Sequence, residues 1–366
     1  MVNRILLTCE MGGGLSYGYR MAALARQFVA NGYEVHVAAP PRIPVRLAFT
    51  GIEAVFHCSP TLRSTGAEGY AVSYADVLLR SGWSDPAQLV AALQAWGRLI
   101  RSVMPDLMVV EFAPTAMLAA RSAGVPVRAV GTGFTLPPLE VPMPWTLWWR
   151  PEPRHQLQAA EDAAVTAIGT ALTTVGGPAL PSVASLFEGV ELVRCGLPRL
   201  SHYPQQERLA WTGPLFAGDV GVTPAWPAGP GPRVFAYLDT AHPHFAPFVA
   251  AVAARCLPTV LYAPDLTPAR FSAVLALAGL DVPACVAVHA EPVRLHDALA
   301  AAHVVACHGV ATLSAAVLAG RRVLHLPGHL EQAMVSRRLV WSGLGVGVPR
   351  EAGLGWVGRG LDQVLS

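Results

Sequence analysis

Three short stretches of this 366-residue chain place glycine and polar residues directly after apolar runs, where a strand would end. The first is Glu10-Met-Gly-Gly-Gly-Leu-Ser-Tyr17-Gly18, which includes Gly13 and Gly14. It is not a clean GxGxxG dinucleotide fingerprint. The next apolar run ends Ala38-Ala39-Pro40, without the acid that would hold a ribose. A tight turn with close helix–sheet packing accounts for the glycines by itself. The second is Cys307-His308-Gly309-Val310-Ala311-Thr312. A glycine followed by small residues at a helix start leaves backbone N–H groups free, and with the helix dipole they attract a phosphate without a lysine. His308 can donate to a phosphate oxygen, or it is a buried histidine that caps the turn. The third is Pro327-Gly328-His329-Leu330-Glu331-Gln332. A carboxylate beside an amide suits the vicinal hydroxyls of a sugar. An ordinary helix start, with Glu331 favoured by the dipole, explains the same residues.

Composition narrows the chemistry. All 26 basic residues are arginine and there is no lysine. That excludes a Walker-type phosphate lysine, a Schiff base and a pyridoxal-phosphate anchor. With 53% hydrophobic and 14% charged residues, the chain can bury large cores, and disorder is excluded as its main theme. The net charge of +2 is spread along the chain, so nucleic acid is not an expected partner. The six cysteines (9, 58, 195, 256, 285 and 307) form no CxxC pair, so neither zinc nor a disulfide framework is expected. Most read as small buried hydrophobes. The N-terminus lacks the basic start, the apolar stretch and the small-residue cleavage site of a signal peptide, so a cytoplasmic location is expected. Residues 300–320 contain no Asp, Glu, Arg or Lys and are long enough to span a bilayer. His303, His308 and Gly309 interrupt them, and they read instead as a buried strand followed by a helix.

These stretches need elements to position them. Arg4 to Cys9 reads as a strand, Tyr19 to Ala30 as a helix and Tyr33 to Ala39 as a second strand, a βαβ opening. Similar units follow to about residue 172, interrupted by a Pro-rich loop at 134–150 that carries Trp145, Trp148 and Trp149. The theme restarts at Val234. The fold class expected is therefore α/β, with two doubly wound Rossmann-like domains facing across a cleft. The first domain spans 1–205, a linker 206–232, the second domain 233–350 and a tail or helix 351–366. Ligands in such folds bind beyond the carboxyl ends of the strands, here after Cys9, Val110, Leu238, Cys307 and Leu326.

With these stretches in this order, the chain resembles the two-domain GT-B glycosyltransferases of the UDP-glycosyltransferase and macrolide-glycosyltransferase branch. Gly12 to Arg26, followed by Asn31-Gly-Tyr-Glu-Val35, resembles that branch's first glycine turn, its LALARAL helix and RGHEV. Pro105 to Thr115 resembles PDLVVxDFxPT, and Gly131-Thr-Gly-Phe134 with Pro137 and Pro138 resembles GxGFxxPP. His308, Gly309 and Thr312, then Gly320, Pro327, Glu331 and Gln332, resemble HGGxGT…GVP…P…DQ. The likeness spans residues 3 to about 350.

The resemblance implies an inverting sugar transfer that needs no metal and no cofactor. The donor would be a UDP- or dTDP-linked sugar and the acceptor a hydroxylated small molecule or lipid. It assigns His308, Gly309, Val310, Ala311 and Thr312 to the diphosphate, and Glu331 and Gln332 to the donor sugar. Thr240 falls near the phosphates and Arg294 near the base-binding loop. Gly13, Gly14, Phe134 and Trp145 fall on the acceptor side. Tryptophans in the 134–150 loop, with Arg150 and Arg154, suit an apolar acceptor or brief membrane contact.

Two departures stand out. The family's second turn glycine is Val310 here. Its catalytic histidine is Tyr17, a poor base near neutrality, and the aspartate that holds that histidine is Glu111. Three outcomes stay open: Glu111 is the base, Glu10 is the base, or the base is lost and the chain is an inactive or partner-dependent helper. A sugar-nucleotide epimerase is a further rival. Nothing in the residue pattern specifies an oligomeric state.

Overall fold

The computed structural model describes residues 3–216, 221–264, 266–353 and 355–366. The chain divides into two compact units, Met1–Ala217 and Gly218–Ser366. In the first unit the strands are β1 (Arg4–Cys9), β2 (Glu34–Ala39), β3 (Val55–Cys58), β4 (Leu107–Glu111), β5 (Val127–Gly131) and β6 (Glu191–Arg194). In the second they are β7 (Val234–Tyr237), β8 (Thr259–Tyr262), β9 (Val286–His289), β10 (Val304–Cys307), β11 (Arg322–His325) and β12 (Val346–Gly347). Among the described residues they form two six-stranded sheets, ordered β3-β2-β1-β4-β5-β6 and β12-β11-β10-β7-β8-β9.

All pairings between these strands are parallel, with helices in the connections. Central runs such as Ile5–Cys9 and Val304–Cys307 are buried along their length, as expected of strands covered on both faces. Counted from its own first strand, each sheet has the doubly wound order 3-2-1-4-5-6. The order reverses between β1 and β4 in one unit and between β7 and β10 in the other. Crevices at such reversals hold ligands. Glu10 and Glu111 lie at the first reversal and His308 at the second.

The expected βα alternation is present, with three differences. Strands β3, β6 and β12 were not expected from sequence. Each lies at a sheet edge and is largely exposed or half-buried, so it lacks the apolar run that marks a central strand. The first helix is Leu15–Ala30, starting four residues before the expected Tyr19, so Tyr17 and Arg20 lie inside it. The stretch read as a linker splits. Gln206 is buried in the first unit and donates to the Leu136 carbonyl at 2.7 Å, while Val222 bridges Val293 in the second. The stretch read as a tail or helix contains the helix Gly355–Leu365. Its Val357, Leu361 and Val364 enter the second core, and Arg255 fastens it through Asp362 at 2.8 Å.

Residues 300–320 form β10 and the helix Val310–Leu318. No helix among the described residues is long and apolar enough to cross a membrane. The cysteines are free. Cys9, Cys195 and Cys307 are buried and Cys285 partly so, whereas Cys58 and Cys256 are exposed.

Candidate functional site

In the first unit, parallel register sets Cys9 of β1 beside Glu111 of β4, which puts Glu10 and Glu111 at the reversal of the sheet. Both carboxylates are buried, at 1% and 2% exposure. Glu111 is ion-paired with Arg20, one turn beyond Tyr17 in the first helix and itself nearly buried. Burial of an ion pair is tolerated only when both charges are matched, so each holds the other in place. Glu10 turns the other way. Its carboxylate accepts from the backbone N–H of Thr115, at 3.0 Å, and from the Thr115 hydroxyl, so it caps the helix Pro114–Ala123. Burial raises its pKa from 4.5 to about 7, and the Thr115 bonds oppose that rise.

Tyr17 is buried over the glycine turn. Its ring stacks on Phe112 at 6.4 Å between centroids, and the Arg20 guanidinium lies 4.8 Å over its face. A Cβ added to Gly12 would come within 2.4 Å of that ring, so glycine is what lets Tyr17 lie there. Phe112, directly after Glu111, adopts a left-handed φ of 46°, unusual for a bulky residue. Its carbonyl accepts the Met11 N–H at 2.9 Å and so ties the two strand ends together. Phe134, after β5, packs edge-on against Phe112 at 5.9 Å and is buried. Gly14 has φ +77° and Gly13 lies against Arg42. Arg42 donates to the carbonyls of Gly12 and Glu10, at 2.8 and 2.7 Å, and so holds the turn.

Trp145 lies apart from this group. It is half-buried and donates to the Arg150 carbonyl within its own loop. Trp148 donates to the His202 carbonyl at 2.8 Å, while Trp83 and Trp96 are core residues.

In the second unit, β7, β10 and β11 are neighbours, so the loops that begin at Leu238, His308 and Leu326 emerge side by side. Gly309 is extended at the start of the helix Val310–Leu318 and has no side chain with which to cap it. The first amides of the helix therefore lack the partner that a Ser, Asp or Asn would supply. An added Cβ at Gly309 would meet only the Tyr237 ring edge, at 3.8 Å. Thr312 lies buried in the first turn of the helix. The His308 Nδ1 pairs with the Tyr237 carbonyl at 3.1 Å, and the His325 Nε2 with the His308 carbonyl at 3.0 Å. Burial lowers the pKa of both imidazoles, that of His325 to about 3.

Gln332 is buried, and its side-chain oxygen accepts the Gly328 N–H at 2.7 Å, which folds the loop after β11. Glu331 is half-buried in the first turn of the helix Leu330–Trp341. Thr240 is half-buried in the loop after β7. Arg294 stands away from these, beyond edge strand β9, and pairs with Asp297 and Thr223, both at 3.3 Å.

Sequence reasoning missed Arg20, Arg42, Thr115 and His242. For Arg20 a signal existed: an arginine in the otherwise apolar helix Met21-Ala-Ala-Leu-Ala25 needs a buried partner. The others are bound by contacts between loops distant in sequence. Among the described residues, no group of three or more His, Cys, Asp or Glu side chains could hold a metal ion.

No family model matches the chain, and no curated protein matches it by sequence. Its fold does match solved structures. One is the glycosyltransferase VinC in complex with dTDP, with a TM-score of 0.66 and 19% identity over 99% of this chain and 91% of that one. Another is the spinosyn rhamnosyltransferase SpnG complexed with thymidine diphosphate, with a TM-score of 0.65 and 19% identity over 99% and 91%. A third is the calicheamicin glycosyltransferase CalG4, with a TM-score of 0.66 and 18% identity over 100% and 90%. The chain therefore has the α/β fold of two Rossmann-like domains, GT-B, that these glycosyltransferases share. Among them are proteins solved with a thymidine diphosphate bound.

Proposed function

We propose that the chain is a glycosyltransferase that moves a sugar from a nucleoside diphosphate, dTDP- or UDP-linked, to a hydroxyl of a small-molecule acceptor. The observation that carries this reading is the start of the helix Val310–Leu318, entered at the order reversal of the second sheet through Gly309, which offers no capping side chain. Such an end stabilises a diphosphate, above all the charge that develops on it as it leaves the anomeric carbon. Solved relatives of the same fold hold dTDP or thymidine diphosphate, which agrees with that ligand. The loop that Gln332 folds, with Glu331 beside it, supplies groups for the sugar hydroxyls.

In the transfer, the acceptor oxygen attacks the anomeric carbon, the bond to the diphosphate breaks and the acceptor gives up its proton. We assign that proton to Glu111. Arg20 orients its carboxylate through their buried ion pair, whereas the oxygens of Glu10 face the start of the helix at Thr115. The phenol of Tyr17, stacked on Phe112, takes part as packing. One observation favours a second reading. Pairing with Arg20 weakens Glu111 as a base, which fits a donor-binding helper with slow turnover. Incubation of the chain with dTDP- and UDP-glucose and a panel of polyketide aglycones decides between them. Release of nucleoside diphosphate with matching glycoside supports transfer. Nucleotide binding with no product supports the helper.

A further inference from the structure

We propose that His242 is a second imidazole ligand for the donor diphosphate, acting beside His308, and that the pair takes up a proton when the diphosphate binds. The inference rests on the donor site argued above and concerns how that site supplies positive charge in a chain without lysine. His242 lies in the loop after β7, next to β10, and its ring centroid is 6.0 Å from that of His308. It is 9% exposed. Its Nδ1 accepts the His244 N–H at 3.2 Å, so in the neutral ring the proton sits on Nε2. That Nε2–H lacks a well-formed hydrogen bond and has only the Pro327 carbonyl near it, a costly state for a buried donor. It borders Gly328, where a Cβ would come within 3.4 Å of it, so glycine at the head of the sugar-side loop leaves the room.

His308 is constrained in the complementary way. A carbonyl only accepts, so its Nδ1 must carry the proton in the bond to Tyr237. Neutral His308 therefore has a bare lone pair at Nε2, which repels a phosphate oxygen. Only the imidazolium donates there.

Without an anion the surroundings refuse that proton. Burial lowers both rings. For His242 the neighbouring His308, His244 and Arg350 add to burial, against the hydrogen-bonding pull of the Pro327 carbonyl, and take it to about 4. For His308 the Tyr237 carbonyl and Asp239 favour the proton and His329 opposes it. His325 lies behind both and stays neutral, its Nε2 committed to the His308 carbonyl. The Arg350 guanidinium is turned to the Gly328 carbonyl at 3.0 Å. A diphosphate reverses the balance, since an adjacent negative charge favours the charged imidazole and gives the His242 donor its acceptor.

Titration calorimetry of the full chain with dTDP and with UDP tests this. The work is done at about pH 7.5 and above, where the nucleotide's own phosphates are ionised. Buffers of different ionisation enthalpy then report proton uptake by the protein. The expected result is uptake of roughly half to one proton per bound nucleotide, with affinity falling several-fold, up to about tenfold, per pH unit. In His242→Gln, which keeps an amide donor but cannot be charged, uptake drops by about half or more, and with it the pH dependence. Binding without proton uptake overturns the proposal and leaves the donor site standing. Uptake unchanged in His242→Gln removes His242 from it. Failure of both nucleotides to bind at any pH overturns the donor site and this inference together.

Discussion

Arg20 sets what Glu111 can do. The carboxylate ends β4 and the guanidinium leans over Tyr17 to meet it, both out of water. Glu111→Gln keeps the shape of the side chain and removes the charge. It is expected to lower glycosyl transfer by about a hundredfold or more while nucleotide affinity stays within about twofold. A rate equal to the native one would take Glu111 out of the chemistry. Removing the partner instead, with Arg20→Met, strands a buried carboxylate and is expected to cost about 3–5 kcal/mol in a denaturant titration. Glu10 has a different signature. Its folded pKa of about 7 lies above its ordinary 4.5, because burial disfavours the charge. The folded chain thus holds a proton that the unfolded chain has lost. Its contribution is fully present below pH 4.5 and declines until about pH 7. Chemical denaturation across that range should show stability falling by up to roughly 3 kcal/mol, with a flatter profile in Glu10→Gln. The positions of Glu10 and Glu111 were legible in the sequence as strand-end residues, and that of Tyr17 through the family resemblance. Their partners were not, because Arg20 and Thr115 come from elements 91 and 105 residues away in the chain.

At the scale of elements, two glycine turns do different work. In the first, Gly12 exists for packing: an added Cβ would meet the Tyr17 ring at 2.4 Å and the Cys9 sulfur at 2.7 Å. Gly12→Ala should therefore destabilise the first unit by about 1–3 kcal/mol, measured as a lowered melting temperature with or without nucleotide. In the second turn, Gly309 exists for access. Its Cβ would touch only Tyr237 at ordinary contact distance. Gly309→Ala should leave thermal stability unchanged within about 1 kcal/mol and weaken dTDP binding by roughly tenfold, because the methyl stands at the approach to the first helix amides. A large loss of stability would show that this glycine is structural as well. Both turns could be read from sequence because apolar runs end abruptly before them. The edge strands could not. Val55–Cys58, with Val55 and Phe56 partly in solvent, has no alternation or run to set it apart from a loop.

At the scale of the molecule, the same strand order appears twice, and each reversal carries one half of the proposed chemistry. The repeat was legible because the buried parallel strands announce themselves as apolar runs. The units' limits were not: the Pro- and Gly-rich 206–232 stretch looks uniform, yet Gln206 anchors its start in one core and the Val222 bridge its end in the other unit. Amides at the start of the helix Val310–Leu318 are proposed to hold a nucleoside diphosphate. Hydrogen exchange of the full chain, with and without saturating dTDP or UDP, tests this most directly. Slowed exchange is expected at Val310, Ala311 and Thr312 and at the Gly328 loop, with unchanged exchange at the Gly12 turn. Nucleotide-independent exchange at residues 310–312 would contradict it.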